Sequence, residues 1–256
     1  VGFAVSAREP GPLADDGQVS AIQQPADLAS APPSGALSET ETKVARAAAY
    51  YERVDPAKAA GYLESVLATD PSSAEGWILM ARVRLSLDQA DRALDASGQA
   101  IPLVPEDARP LALASRALTL LGRHEEAVTM AYRAVVVEPR NPRWHDRVAW
   151  ALLAWDRQIA DAEQAARTAI GLDPAEAHYY FTHGVALDAL GHTDQARQAL
   201  IISLRLEPEN PVAQHRLAVL NGEAARSPDR KKRGWKRFGR GGDKDDRSGR
   251  PEEYLP

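Results

Sequence analysis

The stretch Ala177-His-Tyr-Tyr-Phe-Thr-His-Gly-Val-Ala-Leu-Asp-Ala-Leu-Gly-His-Thr-Asp-Gln-Ala-Arg-Gln-Ala-Leu-Ile-Ile-Ser-Leu-Arg-Leu-Glu-Pro-Glu-Asn210 decides the fold. Gly191 divides two apolar segments of helical character, and Pro208 stops the second. A proline lacks the amide donor and clashes with the preceding turn, so it does not continue a helix. The same stop recurs upstream at Pro71, Pro105, Pro139 and Pro174, at intervals of 34, 34, 35 and, up to Pro208, 34 residues. Equal spacing of stops means equal units, and a period of this size is the mark of a repeat architecture.

Aligned on these stops, the units read Thr40–Ser73, Ala74–Asp107, Ala108–Asn141, Arg143–Glu176 and Ala177–Asn210, with Pro142 as an inserted residue between the third and fourth. A small residue recurs in the second helix as Ala59, Ala93, Ala127, Ala162 and Ala196, where a larger side chain would hold the two helices apart. The matching position of the first helix holds Ala47, Ala81, Ser115 and Gly184, but Trp150 in the fourth unit, which predicts locally widened packing there. Asp55-Pro56 and Asn210-Pro211 each place a capping side chain before a first-turn proline. The second of these opens a last helix over about Pro211 to Ala225, with Ala213, Leu217 and Leu220 as an apolar stripe that covers the end of the array. Gly98 and Pro102 predict a frayed or bent end to the second helix of unit two.

These residues resemble the tetratricopeptide repeat, a pair of antiparallel helices with the signature Trp-x2-Leu-Gly-x2-Tyr, Ala-x3-Phe, Ala and Pro. Tyr180, Gly184, Leu187, Gly191, Ala196, Leu200 and Pro208 fill its slots in the fifth unit; Trp77, Met80, Ala81, Ala93, Ala100 and Pro105 do so in the second. The resemblance implies an all-α, right-handed superhelical solenoid over residues 40–225: five units and a capping helix at 211–225. Residues 1–39 read as a disordered leader and 226–256 as a disordered tail, because neither shows the periodicity that buries a core.

Composition narrows the class further. At 256 residues, with 44% hydrophobic and 26% charged positions, the chain can build a folded body. Its apolar stretches, Leu111–Leu121 and Val148–Trp155, fall well short of the roughly 20 residues that a bilayer crossing takes. The absence of cysteine removes disulfides and thiolate metal sites and fits a reducing compartment. A cytoplasmic protein is expected, bacterial in its Ala- and Arg-rich usage, with peripheral membrane association left open and a segment before Val1 allowed for. From Arg226 onward there are eleven Lys or Arg against six Asp or Glu, so a basic tail follows an acidic body.

The resemblance also implies which residues face the concave groove, roughly the second, fifth, ninth, twelfth and thirteenth of each first helix. Here that row reads Glu41, Val44, Tyr51, Glu75, Ile78, Arg82, Arg109, Arg116, Trp144, Arg147, Trp155, His178, Phe181 and Asp188. Arg82, Arg109, Arg116 and Arg147 point to an acidic or C-terminal peptide, since a guanidinium fork pairs with a carboxylate through two parallel hydrogen bonds. Trp144, Trp155, Phe181 and His178 are the expected contact area around them. The competing reading pairs these arginines with Glu41, Glu75 and Asp188 of the groove itself. The Lys and Asn with which some family members clamp chaperone tails are replaced by Val44 and Ala48, so that partner class is not implied.

A second candidate is the tail run Arg230, Lys231, Lys232, Arg233, Gly234, Trp235, Lys236, Arg237, Phe238, Gly239, Arg240. Basic residues neutralise phosphates and interleaved aromatics stack on bases or sit at a lipid interface, so nucleic acid or anionic lipid would suit it. Catalysis has little to stand on. The histidines His124, His145, His178, His183, His192 and His215 lack metal-ligand spacing, and no Gly-rich phosphate loop is present. The expectation is a non-enzymatic interaction scaffold of unknown oligomeric state, without cofactor or metal, that binds a protein or peptide.

Overall fold

A computed structural model describes residues 37–52 and 55–223. Most of the expected leader and the whole Arg230–Arg240 run lie outside the described residues. Among those described there are eleven α-helices and no strand: α1 (Glu39–Glu52), α2 (Pro56–Thr69), α3 (Ala74–Ser86), α4 (Ala90–Leu103), α5 (Arg109–Leu120), α6 (His124–Val137), α7 (Pro142–Trp155), α8 (Ile159–Leu172), α9 (Ala177–Ala189), α10 (Thr193–Leu206) and α11 (Pro211–Leu220).

Local chemistry sets the helix starts. Asp55 Oδ1 accepts from the Lys58 amide at 3.0 Å, and Pro56 follows where no amide is missed. Ser73, Asn141, Glu176 and Asn210 cap α3, α7, α9 and α11 in the same way. Each α3-to-α10 helix pair has a left-handed residue at an equivalent place in its turn: Asp88 (φ 58), Gly122 (φ 76), Asp156 (φ 57) and Gly191 (φ 82). α4 runs unbroken to Leu103 through Pro102, against the expected fraying; the proline falls in the last turn, where few helical bonds remain to lose. α11 ends at Leu220, short of the expected Ala225, with Gly222 in the left-handed region just beyond.

The fourth unit differs from its expected register. Pro139 to Ala149 spans ten residues, as do Pro71 to Ala81, Pro105 to Ser115 and Pro174 to Gly184. Ala149 is 0% exposed, so it takes the small slot, and Trp150 is the next residue round the helix. The extra residue therefore lies in the turn between α7 and α8, where Gln158 adds a second left-handed residue (φ 51), and not at Pro142. With an alanine in the slot, the physical reason for widened packing disappears.

Consecutive helices pack in sequence order, and α1, α3, α5, α7 and α9 also touch their next-but-one neighbours. The core is a chain of local interfaces. One cluster joins Leu63, Leu79, Val83 and Leu113 in the first half; another joins Leu118, Leu152, Leu153, Val185 and Leu200 in the second. Each fully buried Leu contributes roughly 2 kcal/mol by its removal from water. Gly184 sets how closely α9 approaches α10. A Cβ there would stand 3.0 Å from Leu200 Cγ and 3.3 Å from the Ala196 carbonyl oxygen.

Candidate functional site

The first helices of successive units touch one another directly and so line the inner face of the array. The side-chain links between them mark that face. Arg82 of α3 lies over the Tyr51 ring of α1, 5.6 Å from its centroid. Arg109 of α5 reaches Glu75 of α3, Trp150 of α7 stacks on His178 and Phe181 of α9, and Arg216 of α11 donates to Asp188 of α9 at 2.8 Å.

The expected arginines fall into different environments. Arg82 and Arg116 occupy the same position of α3 and α5 and are half-buried on the inner face. Arg109 is held by Asp107 (Nε to Oδ2, 2.8 Å) and by Glu75 (Nη1 to Oε2, 3.2 Å), and these two carboxylates raise its pKa. Arg147 is buried and belongs to the packed side of α7.

The aromatic residues are also differently placed. Trp144 is buried with Ala108, Leu111 and Ala134, and its Nε1 donates to Glu138 Oε2 at 3.0 Å. Phe181 is buried in the second-half core. Trp155 is half-buried at the end of α7, under the Arg157 guanidinium at 5.2 Å. His178 keeps 17% of its side chain exposed.

The corrected register of α7 brings three residues into the inner row that the sequence reading missed: Arg143, Asp146 and Trp150. Counting from Pro139 to the small residue would have found them. Arg143 is half-buried and takes in α7 the place that Arg109 has in α5. Asp146 is 4% exposed; its Oδ2 lies 3.3 Å from His178 Nε2, and its Oδ1 is buried without a hydrogen-bond partner among the described residues. Trp150 Nε1 donates to the same His178 nitrogen at 3.2 Å. Burial works against a charge on His178, but Asp146 and, more weakly, Glu176 outweigh it and raise its pKa.

Arg84, also buried, serves the frame: it pairs with Glu64 of α2 and donates to Gln89 Oε1 at 2.6 Å. Among the described residues no cluster of three or more His, Asp or Glu could hold a metal ion, and no helix is long and apolar enough to cross a membrane.

Paired helices of this length, stacked with small residues at the crossings and first helices inward, define a helical-repeat solenoid. The fold is that of the tetratricopeptide-repeat proteins. The chain is similar to TTC0263, a tetratricopeptide-repeat protein of Thermus thermophilus (19% identity, 71% of this chain and 98% of that one, TM-score 0.61). It is similar to YrrB, described as a tetratricopeptide-repeat protein with an unusual peptide-binding site (17% identity, 68% and 89%, TM-score 0.52). PilF of Pseudomonas aeruginosa is a third (20% identity, 72% and 85%, TM-score 0.60). No family model matches the sequence, and no curated protein does.

Proposed function

We propose that this protein is a non-catalytic interaction scaffold that holds an acidic segment of a partner protein against the inner face of its solenoid. The observation that carries the reading is the shared position of Arg82 and Arg116 on successive first helices; in α7 that position holds Trp150, and Arg143 falls at the position of Arg109. Guanidinium groups repeated at the spacing of the units suit carboxylates spaced along an extended chain. Arg109, held by Asp107 and Glu75, stands on the same face. Trp144 and Phe181 are too deep to anchor a ligand and support the floor instead. A bacterial cytoplasmic setting accords with the composition. An adaptor role through Arg230–Arg240 rests on sequence alone.

The test is fluorescence anisotropy with a labelled Glu-rich peptide and a Lys-rich control. The acidic peptide binds, and the double change Arg82→Glu, Arg116→Glu weakens it by about tenfold or more, since like charge replaces opposite charge. Equal binding of both peptides, or no effect of the double change, overturns the reading.

A further inference from the structure

His178 Nε2 faces two groups that make opposite demands on it. Trp150 Nε1 is a donor only, so its 3.2 Å bond requires Nε2 to carry a lone pair. Asp146 Oδ2, 3.3 Å away, is an acceptor and requires Nε2 to carry a proton. One nitrogen cannot satisfy both at once: the Trp150 contact needs the neutral ring with its proton on Nδ1, and the Asp146 contact needs a proton on Nε2, which the imidazolium always carries.

The neutral and the protonated ring differ in charge at the inner face. With neutral His178, Asp146 is a buried carboxylate, and one of its oxygens has no hydrogen-bond partner among the described residues. With protonated His178, the pair is neutral overall. The indole then gives up Nε2, and the imidazolium turns its proton to the carboxylate.

We infer that His178 couples the groove to protons: uptake of a proton by the Asp146–His178 pair removes a negative charge from the inner face and tightens the grip on an acidic ligand. This rests on the groove reading above and adds the groove's pH dependence to it.

Other charged groups surround the pair. On α7, Asp146 favours the charged ring and Arg147 opposes it, with Arg143 one turn before Asp146 and acting with it on Tyr179; just before α9, the capping Glu176 favours the charged ring. α8 directs Glu163 to His183, 2.9 Å away, and α11 directs Arg216 to Asp188. α10 keeps Arg197 on Asp194 and the Leu220 carbonyl, and its Ser203 hydroxyl donates to the Ala177 carbonyl at 2.9 Å.

Two measurements test the inference. The first uses the full chain alone. An imidazolium stacked on an indole, here with ring centroids 6.0 Å apart, quenches its fluorescence, so emission falls as pH is lowered through the imidazole range. Both Trp150→Phe and His178→Gln remove that component. The second is the affinity of the labelled Glu-rich peptide, which is expected to be about tenfold tighter near pH 5.5 than near pH 8. Asp146→Asn, which removes the charge and keeps the shape, binds with the tighter affinity at both pH values.

Peptide binding with the same pH dependence in His178→Gln and Asp146→Asn as in the parent chain overturns the inference and leaves the groove reading standing. Absence of peptide binding at either pH overturns the groove reading and, with it, this one. If His178→Gln unfolds, Asp146→Asn still decides: a pH dependence equal to that of the parent chain overturns the inference.

Discussion

Arg109 donates through Nη1 to Glu75 Oε2 at 3.2 Å, and the two residues stand 34 positions apart, a full repeat length. The contact is a stitch between α3 and α5 along the inner face. Its partners are 38% and 61% exposed, so water screens most of the attraction. A double-mutant cycle with Glu75→Ala and Arg109→Ala is expected to give a coupling of no more than about 1 kcal/mol in urea denaturation.

Glu138 joins three neighbours. Its Oε2 accepts from Asn141 Nδ2 at 2.8 Å and Trp144 Nε1 at 3.0 Å, and its Oε1 accepts from the Ala108 amide at 3.3 Å. Glu138→Ala strands these partly buried donors and is expected to cost about 2 kcal/mol. Glu138→Gln, which keeps a carbonyl acceptor, should cost less; chemical denaturation ranks the two.

Asn210 is buried and caps α11 by accepting from the amides of Val212 and Ala213 at 3.1 and 3.0 Å. Asn210→Ala should cost about 1 to 2 kcal/mol. The loss is local, so hydrogen exchange is expected to quicken across residues 211–220 and leave α3 to α6 unchanged.

Gly184 faces Leu200 and the Ala196 carbonyl, both without room to retreat in a core where Ala196 and Leu200 are fully buried. Gly184→Val should therefore destabilise by about 2 to 3 kcal/mol despite replacing a poor helix former, and Gly184→Ala by less. Thermal unfolding followed by circular dichroism reads the difference.

His178 has a folded-state pKa above its ordinary value, because Asp146 and Glu176 outweigh burial. Its contribution to stability is therefore fully present below the unfolded value, about 6.5, and is lost as pH rises through the folded one. The pH dependence of denaturant midpoints should flatten across that window in His178→Gln.

The repeat is legible in the sequence because its signals are local. Prolines at the ends, capping side chains at the starts and small residues at the crossings each act within a few residues, and they mark the helix pairs from α1 to α10. The fourth unit misleads because Asn141-Pro142 looks like an insertion, whereas Pro142 is the ordinary first residue of α7 and the surplus sits some fifteen residues later in the turn. That shift hides Arg143, Asp146 and Trp150. Depth is less legible than direction. Helical period puts Phe181 on the inner side but does not tell how closely α7 and α9 approach, and Trp150 closes over it. The sequence supports the arginines both as ligand contacts and as partners of groove carboxylates; Arg109 with Glu75 follows the second, while Asp188 is taken by Arg216 of α11.

The turn from Asp156 to Gln158 carries a longer consequence. It takes up a whole surplus residue on exposed backbone, with two left-handed positions, while Ala149 and Ala162 on either side keep their full burial. The length of a unit is thus decoupled from the fit of its interfaces. For protein engineering this makes residues 156–158 a splice point, where a tag or a foreign loop would hang outside the array and leave the spacing of the inner-face arginines untouched.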